Sequence, residues 1–330
     1  MASDSQTLAD LIAALQLSES ILRKLDIQAA AKTLGQTVQG VDGSQIRLGD
    51  DCAVIPNGDD PESGYLLLAA EGIWPQLLAQ DPWFAGWCAV MVNLSDIAAM
   101  GGTAIAVVNA LWSQSVAGSR PVWEGMQAAS KAYGVPIVGG HINCDSDYDG
   151  LAVAVMGRSQ QVLTSFAATP GDALIMVINM QGAYYKAYPF WNAATTANPA
   201  ELRSHLSLLP VLAQSGLCHV AKDISMGGLA GTLLMLCEAS GCGANLQLDQ
   251  VPKPEAVDWE KWLTSFPSYG FLLSAPVENM EAIQALFAPE ALVCAKIGEI
   301  VAGPNVSFQL GQAQQRFWNL SEPLTGFGNR

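Results

Sequence analysis

The chain of 330 residues is long enough for two domains, and with half of its residues hydrophobic and 14% charged it is too apolar to be largely disordered. Its 30 acidic residues outnumber its 15 basic ones, which gives a net charge of −15. Because Lys and Arg form no cluster, this composition excludes nucleic acid and anionic membranes as partners, whereas a nucleotide can still bind if Mg²⁺ offsets the repulsion.

The lack of predicted targeting signals and the pattern of the cysteines indicate a cytoplasmic protein. Residues 1–14 contain no cationic region before an apolar stretch, so they predict no signal peptide. The longest apolar region, residues 88–112, is interrupted by polar residues and glycines, and it therefore predicts no membrane span. Seven cysteines without a CxxC pair are typical of reduced thiols in a cytoplasmic core.

The first half of the chain alternates helices with short strands. Residues 7–35 predict helices, because leucine and isoleucine recur there at helical spacing. The next predicted elements in chain order are strands at 53–55 and 65–70, a helix that carries Asp96, a strand at 103–112, a helix at 121–133 and strands at 136–139 and 151–157.

The second half follows residues 169–172, Thr-Pro-Gly-Asp, which have the composition of a turn. Because strands alternate with helices in both halves, the sequence predicts an α/β (α+β) fold of two domains. The predicted elements are a strand at 173–179, helices at 199–214 and 227–240, a strand at 271–275, a helix at 277–287 and a strand at 291–301. The expected domains are a helical segment at 1–40, a first domain at 41–168, a second domain at 169–305 and a tail at 306–330.

Two acidic segments predict a metal site. Asp96 lies in a helical run that is apolar almost all round, and a buried carboxylate needs a cation, a metal or several donors. Asn93 precedes it by three residues, so both side chains leave the helix on the same side. Asp50 and Asp51 stand directly before another apolar run. Carboxylates with few basic neighbours predict a hard cation, Mg²⁺, that holds a phosphate.

Three further features allow two interpretations each. Gly139-Gly140 after a strand lets backbone N–H groups approach a phosphate, but a tight turn explains the pair equally well. His141 either contacts a phosphate or is a hydrogen-bonded structural residue. Lys222 either leaves the neighbouring Asp223 free for a metal or pairs with it, which would weaken the metal hypothesis there.

Four segments of this chain occur in a recognisable order. They are Gly49-Asp50-Asp51-Cys52-Ala53-Val54, the run from Asn93 to Gly101, Val138-Gly139-Gly140, and the run from Asp223 to Leu229. Together they resemble the aminoimidazole ribonucleotide synthetase-like superfamily of AIR synthase-related proteins, over about residues 45–302. Among the members of this superfamily, thiamine-monophosphate kinase has the motifs to which these segments are most similar.

This resemblance implies a fold, a cofactor and an oligomeric state. The fold is a two-domain AIR synthase-like one, with an N-terminal mixed sheet that forms a barrel across a homodimer and a C-terminal α/β sandwich. ATP would lie in a groove near the dimer interface, held by several Mg²⁺ ions on acidic side chains. The N-terminal domain would then be the ATP- and Mg²⁺-binding one.

The resemblance also assigns roles to individual residues. The implied magnesium ligands are Asp50, Asp51, Glu71, Asp96 and Asp223. Asp223 and Ser225 would lie at the catalytic centre. The implied nucleotide contacts are Asn93, Gly139, Gly140 and His141.

Several positions depart from the kinase pattern and make thiamine phosphate doubtful as the substrate. The departures are His141 and Met226 where acidic residues are expected, Ser165 for an arginine, Trp74-Pro75 for a His-Phe pair and Gly270 for a glutamate. We therefore predict an ATP- and Mg²⁺-dependent phosphotransferase, or an ATP-driven activating enzyme, that acts on a small molecule. The alternatives are a catalytically weak nucleotide- or ligand-binding protein in an enzyme assembly, and an assembly subunit whose acidic groove packs against a basic partner.

Overall fold

The computed structural model describes residues 4–40, 42–58, 60–266 and 270–328. The chain forms two compact units. The first unit comprises residues 1–51, 163–193 and 212–330, and the second comprises residues 52–162 and 194–211. The segments before residue 52 and after residue 162 thus belong to the same unit, because they hydrogen-bond to each other and to the strands that follow, as Thr164 N does to His219 O.

Every helix that the sequence predicts is present, with boundaries shifted by a few residues. The predicted helix at 121–133 begins earlier, because Ser115 accepts a hydrogen bond from Gly118 N and caps the helix, and Pro121 is tolerated inside it. The helices are α1 Asp4–Gln16, α2 Glu19–Leu22, α3 Ile27–Leu34, α4 Pro75–Gln80, α5 Pro82–Ala99, α6 Val116–Tyr133, α7 Pro199–Ser215, α8 Gly228–Ser240, α9 Trp259–Leu263 and α10 Met280–Phe287. Within the described ranges, no helix combines the length and the apolar character needed to cross a membrane.

The strands also follow the predicted order, and the prediction of a mixed α/β fold is confirmed. The strands are β1 Thr37–Gln39, β2 Gln45–Arg47, β3 Ala53–Pro56, β4 Tyr65–Gly72, β5 Thr103–Trp112, β6 Ile137–Asn143, β7 Gly150–Ser159, β8 Ala173–Ile178, β9 Ala183–Tyr184, β10 Trp191–Asn192, β11 Val220–Asp223, β12 Gly243–Gln247, β13 Gly270–Ala275, β14 Val293–Val301, β15 Asn305–Leu310 and β16 Ala313–Asn319.

The first unit is built on a seven-stranded sheet in the order β11-β13-β8-β14-β12-β15-β16. Neighbouring strands are antiparallel except β12 and β15. Both β8 and β13 are buried along their whole length, which explains the unbroken apolar run Ala-Leu-Ile-Met-Val-Ile of β8. Leu8, Leu11, Ile12 and Leu15 of α1 belong to the same core, so the N-terminal helices are an integral layer of this unit.

The expected C-terminal tail is packed structure. It supplies β15 and β16, and residues 323–328, which we call the closing segment, are tied to α8 by Glu238. The Glu238 carboxylate accepts hydrogen bonds from Leu324 N, Thr325 N, Thr325 Oγ1 and Gly326 N at 2.7–3.1 Å. The closing segment is also hydrogen-bonded to Gln36, whose side-chain amide donates to Gly326 O and accepts from Gly328 N.

The second unit is built on a five-stranded sheet in the order β3-β4-β7-β5-β6. Only β5 and β6 are parallel among its described pairs. Helix α5 packs on one face, where the alternate residues Leu151, Val153 and Val155 of β7 are buried. The opposite face is apolar and exposed in the single chain.

Replacing Glu238 with glutamine should lower the free energy of unfolding by about 2 kcal/mol, because charge-assisted hydrogen bonds to three consecutive residues lose an accepting oxygen. Urea denaturation followed by circular dichroism measures this. The matched control is Glu124→Gln, which removes an exposed pair with Arg120 and should change stability by less than ~0.5 kcal/mol. Equal losses in the two variants would contradict the role of Glu238.

Candidate active site

Asp50 is held in place by the segment that follows the second unit. Its carboxylate accepts hydrogen bonds from Thr164 Oγ1, from Ser165 N and, at 2.7 Å, from Ser165 Oγ. It also accepts from the N–H group of Asp51 at 3.0 Å. Ser165, which stands where the kinase pattern has an arginine, thus orients a predicted metal ligand. No motif or spacing in the sequence predicts this contact.

Asp51 forms a buried ion pair with Lys222 of β11. Only 6% of the Asp51 side chain and 3% of the Lys222 side chain are exposed, and Asp223 N lies 3.4 Å from the second carboxylate oxygen of Asp51. The sequence analysis considered Asp223, the neighbour of Lys222, as its possible partner. The structure instead pairs Lys222 with Asp51, which is distant in sequence. Two predicted metal ligands, Asp51 and Asp223, meet in the first unit.

The electrostatics of this cluster favour an additional cation. Burial raises the pKa of Asp51 to about 7 against the attraction of Lys222, and the nearby carboxylates of Asp223 and Asp50 raise it further. Burial lowers the pKa of Lys222, but the three carboxylates more than compensate and leave it above its ordinary value. The ammonium group therefore stays charged, and three carboxylates compete for it.

The loop after β11 is fixed by α8. Thr232 Oγ1 accepts a hydrogen bond from Ser225 N at 3.3 Å and donates to Asp223 O at 3.4 Å. Gly227 and Gly228 have φ angles of +90° and +61°, and a Cβ at Gly228 would lie 2.5 Å from Leu263 O. Close packing and left-handed backbone therefore require the glycine at 228, while the loop presents the predicted catalytic residues at the end of β11.

In the second unit, Asp96 and Asn93 are buried in α5, with 6% and 0% exposure. Asn93 Nδ2 donates to Ala89 O at 2.8 Å. Its Oδ1 is buried and has no hydrogen-bond partner in the part of the chain that the structure describes. Glu71 lies near the end of β4 and is exposed. It pairs with Val153 of the neighbouring strand β7, and residues paired across strands in this way form one row of the sheet.

Gly139, Gly140 and His141 lie inside strand β6 and are exposed. The tight-turn interpretation of the glycine pair is therefore wrong. Gly140 has a φ angle of +155°, and a Cβ there would lie 2.3 Å from Asn109 Oδ1. A Cβ at Gly139, by contrast, would meet no atom of the described residues within 4 Å. Gly140 is thus required by the close approach of Asn109, and the space beside Gly139 is open.

Comparisons with known proteins identify both halves of the chain. Residues 49–159 match the family model described as AIR synthase related protein, N-terminal domain, and residues 169–311 match the C-terminal domain of the same family. An uncharacterized protein of Synechocystis sp. is 52% identical over 322 residues, which cover 97% of this chain and 98% of that protein. The thiamine-monophosphate kinase of Synechococcus elongatus is 28% identical over 291 residues, 79% of this chain and 86% of the kinase. The resemblance predicted from the motifs is confirmed.

The fold recurs in solved structures. PurL of Thermotoga maritima in complex with ATP superimposes with a TM-score of 0.74 at 17% sequence identity, over 97% of this chain. The present chain spans about half of that PurL, 55% of its length. At this identity the similarity establishes a shared fold.

The ion pair itself can be tested by replacing Lys222 with methionine. Because the variant leaves the Asp51 carboxylate buried without its cation, the free energy of unfolding should fall by about 3–5 kcal/mol. Adding Asp51→Asn should recover much of this loss, and urea denaturation of the double-mutant cycle measures the coupling. The matched control is Arg23→Gln, at an exposed pair with Glu19, which should cost less than ~0.5 kcal/mol. Additive losses at positions 51 and 222 would contradict the pairing.

Proposed function

Because the chain belongs to the family of AIR synthase related proteins, we propose that it is an ATP- and Mg²⁺-dependent phosphotransferase, or an ATP-driven activating enzyme, that acts on a small molecule. The observation that carries the proposal is the carboxylate cluster of Asp50, Asp51 and Asp223 around the Lys222 ammonium. Phosphoryl transfer depends on positioning and charge neutralisation more than on covalent help from the protein.

The donor set of this cluster fits Mg²⁺. Magnesium prefers carboxylate oxygens, and three carboxylates beside one ammonium leave two negative charges for a divalent cation to balance. Mg²⁺, when bound, would neutralise phosphate oxygens that an acidic protein would otherwise repel. The proposed ligands are Asp50, Asp51 and Asp223 in the first unit and Glu71 and Asp96 in the second.

The remaining site residues would bind the nucleotide and the reacting groups. Gly139 and Gly140 would present backbone N–H groups to phosphates, with Asn93 and His141 as further nucleotide contacts. Asp223 and Ser225 would orient the group that receives the phosphoryl. The PurL complex with ATP and the kinase among the relatives support a nucleotide as the ligand.

The acceptor is proposed to differ from thiamine monophosphate. In β13, a Cβ at Gly270 would lie 2.2 Å from Val177 O, so the strand has no room for the glutamate of the kinase pattern. Ser165 is committed to Asp50, and Met226 offers no charge. The proposed phosphate-transferring groups do not include these positions, whereas the contacts that the resemblance assigns to thiamine phosphate do.

A second candidate function is favoured by the Asp51–Lys222 ion pair. A lysine that already neutralises a metal ligand, together with Met226 in place of an acidic residue, weakens the case for rapid turnover. The protein would then be a nucleotide- or ligand-binding partner in an enzyme assembly. Nucleotide binding without ADP release would select this function.

The main proposal is tested by ADP release in the presence of Mg²⁺ across a panel of small phosphate acceptors. We expect turnover with at least one acceptor, and at least ~100-fold slower turnover for Asp96→Asn, which removes a buried metal ligand. The control, Asp10→Asn at an exposed position of α1, should leave the rate unchanged. An unaltered rate in Asp96→Asn would refute the metal role, and failure to bind any nucleotide would exclude both functions.

The exposed face of the second unit's sheet supports a homodimer. Leu68, Met156 and Ala106 lie in one residue row, and Val108 and Ala154 lie in the next. Leu68, Met156 and Val108 are 49%, 43% and 42% exposed. A contiguous apolar face of this kind marks an interface, and we propose that a second copy of the chain covers it.

Met156→Glu should therefore shift the protein from dimer to monomer, because it places a charge in the centre of the covered face. Sedimentation velocity at micromolar concentration measures the change. The control is Val211→Glu at another exposed valine of the same unit, which should leave the dimer intact. A monomeric wild-type protein would overturn the interface.

A further inference from the structure

Asn109 of β5 has a buried amide group without a hydrogen bond. Its side chain is 5% exposed, and neither Oδ1 nor Nδ2 has a partner among residues 4–40, 42–58, 60–266 and 270–328. Buried polar groups are nearly always paired, because an unpaired one loses its bonds to water and gains nothing in return. Such a group at the centre of a sheet indicates a partner that the folded chain alone does not supply.

The register of the sheet places Asn109 among the proposed site residues. Glu71 of β4 pairs with Val153 of β7, Val153 pairs with Asn109, and Asn109 pairs with Gly140 of β6. These four residues therefore form one row across four strands. Asn109 stands between the proposed metal ligand Glu71 and the glycine that would approach the phosphates, and Asn109 Oδ1 packs against Gly140.

From this placement we propose that Asn109 binds the phosphate chain of the nucleotide, with Nδ2 donating a hydrogen bond to a phosphate oxygen. The inference rests on the proposed nucleotide site and adds to it a residue outside the four motifs. An amide suits the position because it donates without adding charge. Gly140, which ends this row in the adjoining strand β6, is exposed, so a ligand can reach this end of the row.

The unpaired amide makes a thermal test possible. Asn109→Leu replaces it with an apolar group of similar shape, so the nucleotide-free protein should melt about 2 °C or more higher, while an amide with a structural partner would lose stability on the same change. Asn109→Val, which is smaller and favoured in strands, is the second variant should leucine disturb packing against Gly140. The matched control is Asn279→Leu, which breaks a 2.8 Å bond to Leu217 O and should lower the melting temperature.

Binding of the ATP analogue AMPPCP with Mg²⁺, measured by isothermal titration calorimetry, completes the test. The wild-type protein and Asn279→Leu should bind AMPPCP with the same affinity. Both Asn109 variants should bind it at least about tenfold more weakly, because each loses one hydrogen bond to a charged group. A lower melting temperature for both Asn109 variants, as for an amide that holds a buried water, would overturn the inference. So would unchanged affinity in variants that fold. If the wild-type protein binds no AMPPCP, the proposed function itself fails and the inference fails with it.

Discussion

The buried ion pair of Asp51 and Lys222 is the constraint on which the first unit's site depends. A charge removed from water costs several kcal/mol, so neither group can occupy this place without the other or an equivalent ion. The pair fixes the loop before β3 against β11, and the hydroxyl groups of Thr164 and Ser165 fix the neighbouring Asp50. Ser240 of α8 in turn donates to Ser165 O. The site is therefore positioned by polar contacts between segments far apart in sequence.

If Asp51 binds Mg²⁺ as proposed, the same pair would impose a competition between lysine and metal. The ammonium of Lys222 already occupies the Asp51 carboxylate, so the metal would have to displace or share it. The nearby carboxylates of Asp50 and Asp223 add to the attraction of Asp51 in raising the pKa of Lys222. With Lys222 alone the three carboxylates leave two negative charges, which a divalent cation would balance.

Much of the fold was predictable because periodicity reports directly on burial. The apolar run of β8 and the all-round apolar surface of α5 both reflect burial on every side, and both were assigned from spacing alone. Residues 306–330 lie beyond the resemblance, which covers about residues 45–302, and they were expected to be a tail. Their packing depends on Glu238, which accepts three hydrogen bonds from backbone N–H groups and one from the Thr325 hydroxyl, and no sequence pattern reveals these contacts.

The site was predictable only where motifs carried it. The sequence identified Asp50, Asp51 and Asp96 as acidic residues beside or within apolar runs and Asp223 through the family resemblance, and the proposal for them remains to be tested. It gave no sign of Asn109, because a single polar residue in an apolar strand is ordinary and its missing partner is a property of three dimensions. Alternation along β5, with Asn109 on the buried face, was the one available signal.

The discontinuity of the first unit determines when it can form during synthesis. Its N-terminal helices leave the ribosome first, yet their core includes β15 and β16, and Gly49 packs against Phe327 of the closing segment. Domains usually fold in order of emergence. Here residues 4–34 have to wait until residues 305–328 have emerged, while the second unit, which is complete once residue 211 has emerged, can fold ahead of them. A stall in translation before residue 305 would therefore leave the loop of Gly49, Asp50 and Asp51 without its contact to Phe327 and the apolar face of α1 open to chaperones.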